Sequence, residues 1–245
     1  MTTTNPGGLC NLRDVGGLPT EDGRRTRPGV LYRSDVPLAG DPDPSDVPQW
    51  PPGTVLDLRA PGERQAGHPL AAAGATVHPL PVMDDVRFAG AVAASWPPAD
   101  GLQAWFAALY RRWLEERPEA VAGAVAAAMR GEPPVLVHCA AGRDRTGVVV
   151  ALLLRAAGVQ RAAIVADYRR TEVNHARLMA RLTERGALRT PRGSGLRDAQ
   201  LATPEAIEQV LDHVDAHPGG LPRWLAGHGV AEPDLVAWRE RLVEG

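Results

Sequence analysis

The stretch Val135-Leu136-Val137-His138-Cys139-Ala140-Ala141-Gly142-Arg143-Asp144-Arg145-Thr146-Gly147 brings a thiol, a glycine and two guanidinium groups into one short turn. A thiolate is the reactive form of cysteine, and cations or a helix N-terminus favour it; Cys139 would have both. Arg145 offers a planar fork of donors that matches two phosphate oxygens. Gly142 lets the backbone turn where a side chain would obstruct it. Thr146 could donate its hydroxyl to the Cys139 sulfur and ease the departure of that sulfur. His138 reads as a loop-orienting residue rather than a base. A phosphate would then be ringed by Ala140, Ala141, Gly142, Arg143, Arg145 and Thr146. Together these groups describe phosphoryl transfer to sulfur, followed by hydrolysis by water.

Two elements must position this turn. The run Val135–Val137 is short, β-branched and preceded by Pro133-Pro134, and reads as a buried strand. Val148 to Leu154 is longer and ends near Gly158, and reads as a buried helix with a glycine cap. A loop before a helix N-terminus suits an anion.

Cys139, five residues, then Arg145-Thr146, with His138 in front, resembles the signature of the Cys-dependent protein tyrosine phosphatases. The fuller run from His138 to Gly147 resembles their atypical bacterial branch, which acts on phosphotyrosine, phosphoserine/threonine and phosphoinositides. Arg143 stands where that branch often has Lys, which keeps the charge and changes the geometry. Three further pieces resemble the branch: Asn11-x-Arg13-Asp14-x-Gly16-Gly17, Arg33-Ser34, and Asp57-Leu58-Arg59 with Glu63 after it. The resemblance implies an α/β Cys-phosphatase fold, a central mostly parallel sheet flanked by helices. It also implies catalysis without a metal or cofactor.

Leaving-group departure from a phosphate ester benefits from a positioned carboxylic acid. Asp144 is favoured, because the branch places an Asp there with a suspected acid role. Its arginine neighbours would hold it ionised, and a bound dianion would push the other way. Asp84 or Asp85 competes. If the strands ending near Arg59, Val82 and His138 are parallel, these aspartates share an edge with Cys139. Arg143 could bind a second phosphate, which would admit phosphoinositides; its plainer role is a salt bridge within the loop.

Composition bounds these readings. The 245 residues suit a single domain spanning 1–245, with 1–8 frayed. The net charge of -2 gives no reason to expect nucleic acid or anionic membrane as partner. All 27 basic residues are Arg, which reflects composition rather than function. Cys10 and Cys139 make no disulfide framework, and a reducing cytoplasm suits a catalytic thiol. Cys10 reads as a partly buried thiol, with a redox partner for Cys139 as the alternative. There is no apolar run of membrane-spanning length and no signal pattern.

Along the chain, Asn11–Gly17 and Val30–Asp35 read as a hairpin-like strand pair, with Arg13–Asp14 and Arg33–Asp35 as ion pairs and turn caps. Thr54–Arg59 is a strand. Thr76–Val82 is another, whose prolines argue for an edge. Residues 84–117 are a candidate lid or insertion. Within them Leu102, Trp105, Phe106, Leu109, Tyr110 and Trp113 form a helical stripe that core packing explains most simply. Trp96-Pro97 resembles an acid loop, but the spacing to Asp100 is too long, so Asp100 reads as a helix cap. Helices follow over 118–131, 161–185, 204–216, 220–227 and 232–244. Arg169, Arg170, Arg177 and Arg181 read as a solvated face. The expected activity is a phosphatase for phosphotyrosine first, then phosphoserine/threonine or phosphoinositide. Its partner is a phosphorylated protein or a small phosphorylated molecule, a metabolite being the alternative substrate. A non-catalytic phospho-ligand module and a rhodanese-like sulfurtransferase are the competing classes.

Overall fold

The computed structural model describes residues 8–83, 101–187 and 203–245. Asp84, Asp85 and Asp100 therefore lie outside the described residues, as do nearly all of the frayed N-terminus and the first part of the candidate lid. The strands are β1 (Arg13–Asp14), β2 (Leu31–Ser34), β3 (Thr54–Asp57), β4 (Thr76–Pro79) and β5 (Val135–His138). The helices are α1 (Pro69–Ala72), α2 (Gly101–Glu116), α3 (Pro118–Arg130), α4 (Asp144–Ala156) and α5 (Arg161–Glu184). They continue with α6 (Pro204–Asp215), α7 (Gly220–Gly227) and α8 (Glu232–Leu242).

The sheet order is β1-β2-β5-β3-β4, with β1 antiparallel to β2 and every other pair parallel. The β1–β2 pair and the edge position of β4 match the sequence reading. The strand before Cys139 is central, between β2 and β3. Ser34, His138 and Asp57 stand in register, so three strands end together where the turn begins.

Alternation sorts the strand residues between two layers. Leu31, Leu56, Val135 and Val137 join the main core with the helices. Tyr32, Val55 and Leu136 face the other way, against Leu70, Ala75 and the partly buried Val47 and Trp50. Residues Arg145 to Leu154 of α4 are all buried. Each fully buried Val or Leu contributes about 1.5–3 kcal/mol, so the core anchors the helix on whose N-terminus the turn rests. Gly158 follows α4 at φ +81°, the cap the sequence suggested. In α2, Phe106, Leu109, Tyr110, Trp113 and Leu114 are buried, and the helix packs along α6. Among the described residues, no helix is long and apolar enough to cross a membrane.

Candidate active site

Cys139 emerges from the centre of the sheet, 1 % exposed. The turn after it is held by its carbonyl groups. Asn11 Nδ2 donates to Ala141 O (3.0 Å) and Gly142 O (3.1 Å), and Arg33 Nη2 donates to Gly142 O (3.0 Å). Val36 N donates to Ala140 O at 3.0 Å. Gly142 has φ +67°, and a Cβ there would lie 2.2 Å from Ser34 O, so the position excludes every side chain. Among the described residues, no side chain caps the N-terminus of α4.

The two loop arginines have different partners. Arg145 meets Glu63 with both terminal nitrogens, Nη1 to Oε2 and Nη2 to Oε1 (2.8 Å). Glu63 closes the short 3-10 turn Pro61–Glu63 and accepts from Ala60 N at 2.8 Å. Burial would raise the Glu63 carboxyl, but Arg145 holds it below its usual range. In the sequence Glu63 is only the acid that follows Asp57-Leu58-Arg59. A buried guanidinium needs a carboxylate, and Glu63 follows the strand beside β5 at the same sheet edge. Arg143 instead donates from Nε to Asp144 Oδ1 at 3.1 Å, and its guanidinium lies 5.5 Å from the centre of the Phe106 ring.

Asp144 also accepts from the Tyr110 hydroxyl at 2.5 Å, and that hydroxyl lies 2.9 Å from the Tyr168 hydroxyl. Burial would raise the Asp144 carboxyl, but Arg143, Tyr110 and Arg145 outweigh it and hold the group below the usual carboxylate range. The bond expected from Thr146 to the Cys139 sulfur is not formed. Thr146 sits within the first turn of α4, and its hydroxyl is buried without a partner among the described residues.

Under the loop lies an ionic cluster that corrects the pairing read from sequence. Arg13 does not pair with Asp14, nor Arg33 with Asp35. Both arginines share Asp167 of α5, each at 2.7 Å. Burial would raise the Asp167 carboxyl, and the two arginines hold it down at about 2. Asp14 caps a turn through Gly16 N and Gly29 N, as expected. Asp35 accepts from Cys10 N and Asn11 N and lies 3.1 Å from Arg181. Arg181 is therefore buried structure, whereas Arg169 and Arg170 lie on a solvated face. Cys10 is buried, and burial followed by Asp35 pushes its thiol up.

Beside the strand end, Leu70 N donates to His68 Nδ1, so His68 carries its proton on Nε2 and donates to His138 Nε2 at 3.1 Å. His138 then donates from Nδ1 to Cys139 O at 3.1 Å. These tautomers follow from the hydrogen-bond network. Burial, the largest influence, lowers His138 to about 4. It is a neutral link between His68 and the Cys139 carbonyl. Asp57, His68 and His138 lie close enough to suggest a metal site. However, the facing nitrogens are a donor and an acceptor, and both Asp57 oxygens hold Arg59. The two histidines and the Cys139 carbonyl form a hydrogen-bond chain, and Asp57 belongs to Arg59.

A profile described as the tyrosine phosphatase family matches residues 5–244. A Cupriavidus necator protein named as a candidate tyrosine-protein phosphatase is 37 % identical over 168 residues, covering 65 % of this chain and 59 % of that protein. The triple specificity protein phosphatase PtpB of Mycobacterium tuberculosis is 57 % identical over 51 residues, 21 % of this chain and 18 % of PtpB. The chain thus spans under two thirds of either relative's length. With a family profile matched from residue 5 to residue 244, the chain belongs to the tyrosine phosphatase family.

Proposed function

We propose that this chain hydrolyses phosphomonoesters through a phosphocysteine intermediate, with phosphotyrosine as the leading substrate class. The observation that carries the reading is the pairing of Cys139, at the floor of the loop, with Arg145 braced by two bonds to Glu63. Glu63 fixes the guanidinium plane before any substrate arrives, which lowers the cost of orienting it. The remaining donors of Arg145 and the uncapped N–H groups of α4 take up the phosphate oxygens. The Cys139 thiolate attacks phosphorus, the ester P–O bond breaks, and Asp144 gives its proton to the departing oxygen. Water then attacks the phosphocysteine, the P–S bond breaks, and Asp144 recovers the proton.

Asp144 is ionised in the resting site, so it needs the dianionic substrate to raise its proton affinity. Arg143 is bound to Asp144 and stacked on Phe106. That favours the loop-bracing role over a second phosphate site, and monophosphorylated substrates over phosphoinositides. A metabolite phosphatase shares the same chemistry. Family membership and the Glu63 brace weigh against a silent binding module or a sulfurtransferase. A nucleophilic thiol suits a reducing compartment.

The test is hydrolysis of p-nitrophenyl phosphate by wild type and Cys139→Ser, with a chelator present. We expect chelator-insensitive turnover, reduced more than about 1,000-fold in the variant. Turnover retained by Cys139→Ser would overturn the phosphocysteine route.

A further inference from the structure

Tyr110 and Tyr168 lie outside the signature, on α2 and α5, yet they meet at its aspartate. Tyr110 is fully buried and stacked on Trp113, with ring centres 5.1 Å apart. Tyr168 is 1 % exposed. Room for it is made by the glycine that ends the signature, since a Cβ on Gly147 would lie 2.8 Å from Tyr168 Cε2. An ionised carboxylate only accepts hydrogen bonds. Tyr110 therefore donates to Asp144 Oδ1, and Tyr168 donates to the Tyr110 oxygen. Burial raises both phenols, so both keep their protons at neutral pH. Arg143 Nε lies 3.1 Å from Oδ1 and 3.3 Å from Oδ2. Oδ1 thus accepts from two donors and Oδ2 from one, at the longer distance.

We infer that Tyr110, backed by Tyr168, is a positioning residue for the leaving-group proton: it occupies Oδ1 of Asp144 and leaves Oδ2 to carry and deliver the proton. This rests on the reading of Asp144 as the acid. The charged and titratable groups facing Asp144 are Arg143 and Arg145 from its own segment, Tyr110 from α2 and Tyr168 from α5. The two arginines favour the carboxylate by charge. Tyr110 favours it by donation, so its loss makes Asp144 easier to protonate. The helical stripe in α2, explained from sequence as core packing, is then also one wall of the site.

The experiment is the pH profile of kcat, which reports groups in the substrate complex, for wild type, Tyr110→Phe, Tyr168→Phe and Asp144→Asn. Each is measured on p-nitrophenyl phosphate and on an alkyl phosphate, whose departure needs the proton. On the alkyl ester, Asp144→Asn should lose about 100-fold or more. Tyr110→Phe should move the alkaline limb up by roughly half to one pH unit, because a bond to the charged form is gone. Its maximum should fall several-fold more on the alkyl ester than on the aryl ester. Tyr168→Phe should shift the limb the same way by less, and it carries the test if Tyr110→Phe does not fold. An alkaline limb unmoved in both tyrosine variants, with Asp144→Asn impaired, would leave the acid standing and reduce the tyrosines to packing. An unimpaired Asp144→Asn would overturn the acid and the inference together.

Discussion

The loop that holds Cys139 is supported on two sides by opposite means. Beneath it, Arg13, Arg33 and Asp167 form a buried ionic cluster, and Arg33 with Asn11 takes hold of backbone carbonyls. Beside it, the phenols of Tyr110 and Tyr168 reach a single carboxylate. The ionic side fixes backbone, through the carbonyl groups of the loop. The phenolic side touches the one group proposed to gain and lose a proton. A neutral donor biases that equilibrium gently, and the guanidinium of Arg143 on the same carboxylate is shared with the Phe106 ring. Full charges hold the backbone beneath the loop, whereas at Asp144 the charge of Arg143 and the hydroxyl of Tyr110 act together.

The contrast is broken most severely at its ionic half. Asp167→Asn leaves two buried guanidinium groups without a counter-charge, which should cost about 3–5 kcal/mol. Thermal and urea unfolding would read this, with a melting temperature lower by about 10 °C or more for a chain of this size. A loss under about 1 kcal/mol would erase the distinction between the two supports. The next largest effect strikes the backbone those charges hold. Gly142→Ala meets Ser34 O and a positive φ at once. It should lower stability by about 2 kcal/mol and kcat/KM on p-nitrophenyl phosphate by about 100-fold. Wild-type kinetics in that variant would show that the loop tolerates a shift.

A pH series tests a third support, the neutral histidine pair. His138 falls from an ordinary 6.5 to about 4 on burial. Between those values the unfolded chain binds the proton and the folded chain does not, so stability rises with pH there. Its contribution is complete above about pH 6.5 and fades as pH falls toward about 4. His68 is lowered as well and adds to the same trend. Urea midpoints at several pH values in that window should decline on acidification, and His138→Gln should flatten the decline.

Much of this molecule was legible in the sequence, because its main signals are local. The apolar run into Cys139 and the longer one after Gly147 gave strand and helix. Prolines in 76–82 gave an edge strand, which β4 is. Periodicity set the later helices to within a residue or two. What was not legible is pairing at a distance. Arg13 and Arg33 were given their neighbours in sequence, whereas each finds Asp167, 154 and 134 residues away. Glu63 and Tyr110 were visible as residues but not as partners of Arg145 and Asp144. Only the register of three parallel strand ends, and the packing of α2 and α5 about α4, bring them there.

That register has a consequence for how the loop's support arises on a growing chain. Asn11 reaches a loop carbonyl 130 residues later, and Arg33 waits for Asp167, which is made after the loop itself. Closing such spans loses chain entropy before any contact returns it. A ribosome-bound chain that has released Cys139 but not α5 still lacks Asp167, so Arg13 and Arg33 beneath the loop have no counter-charge until α5 is made.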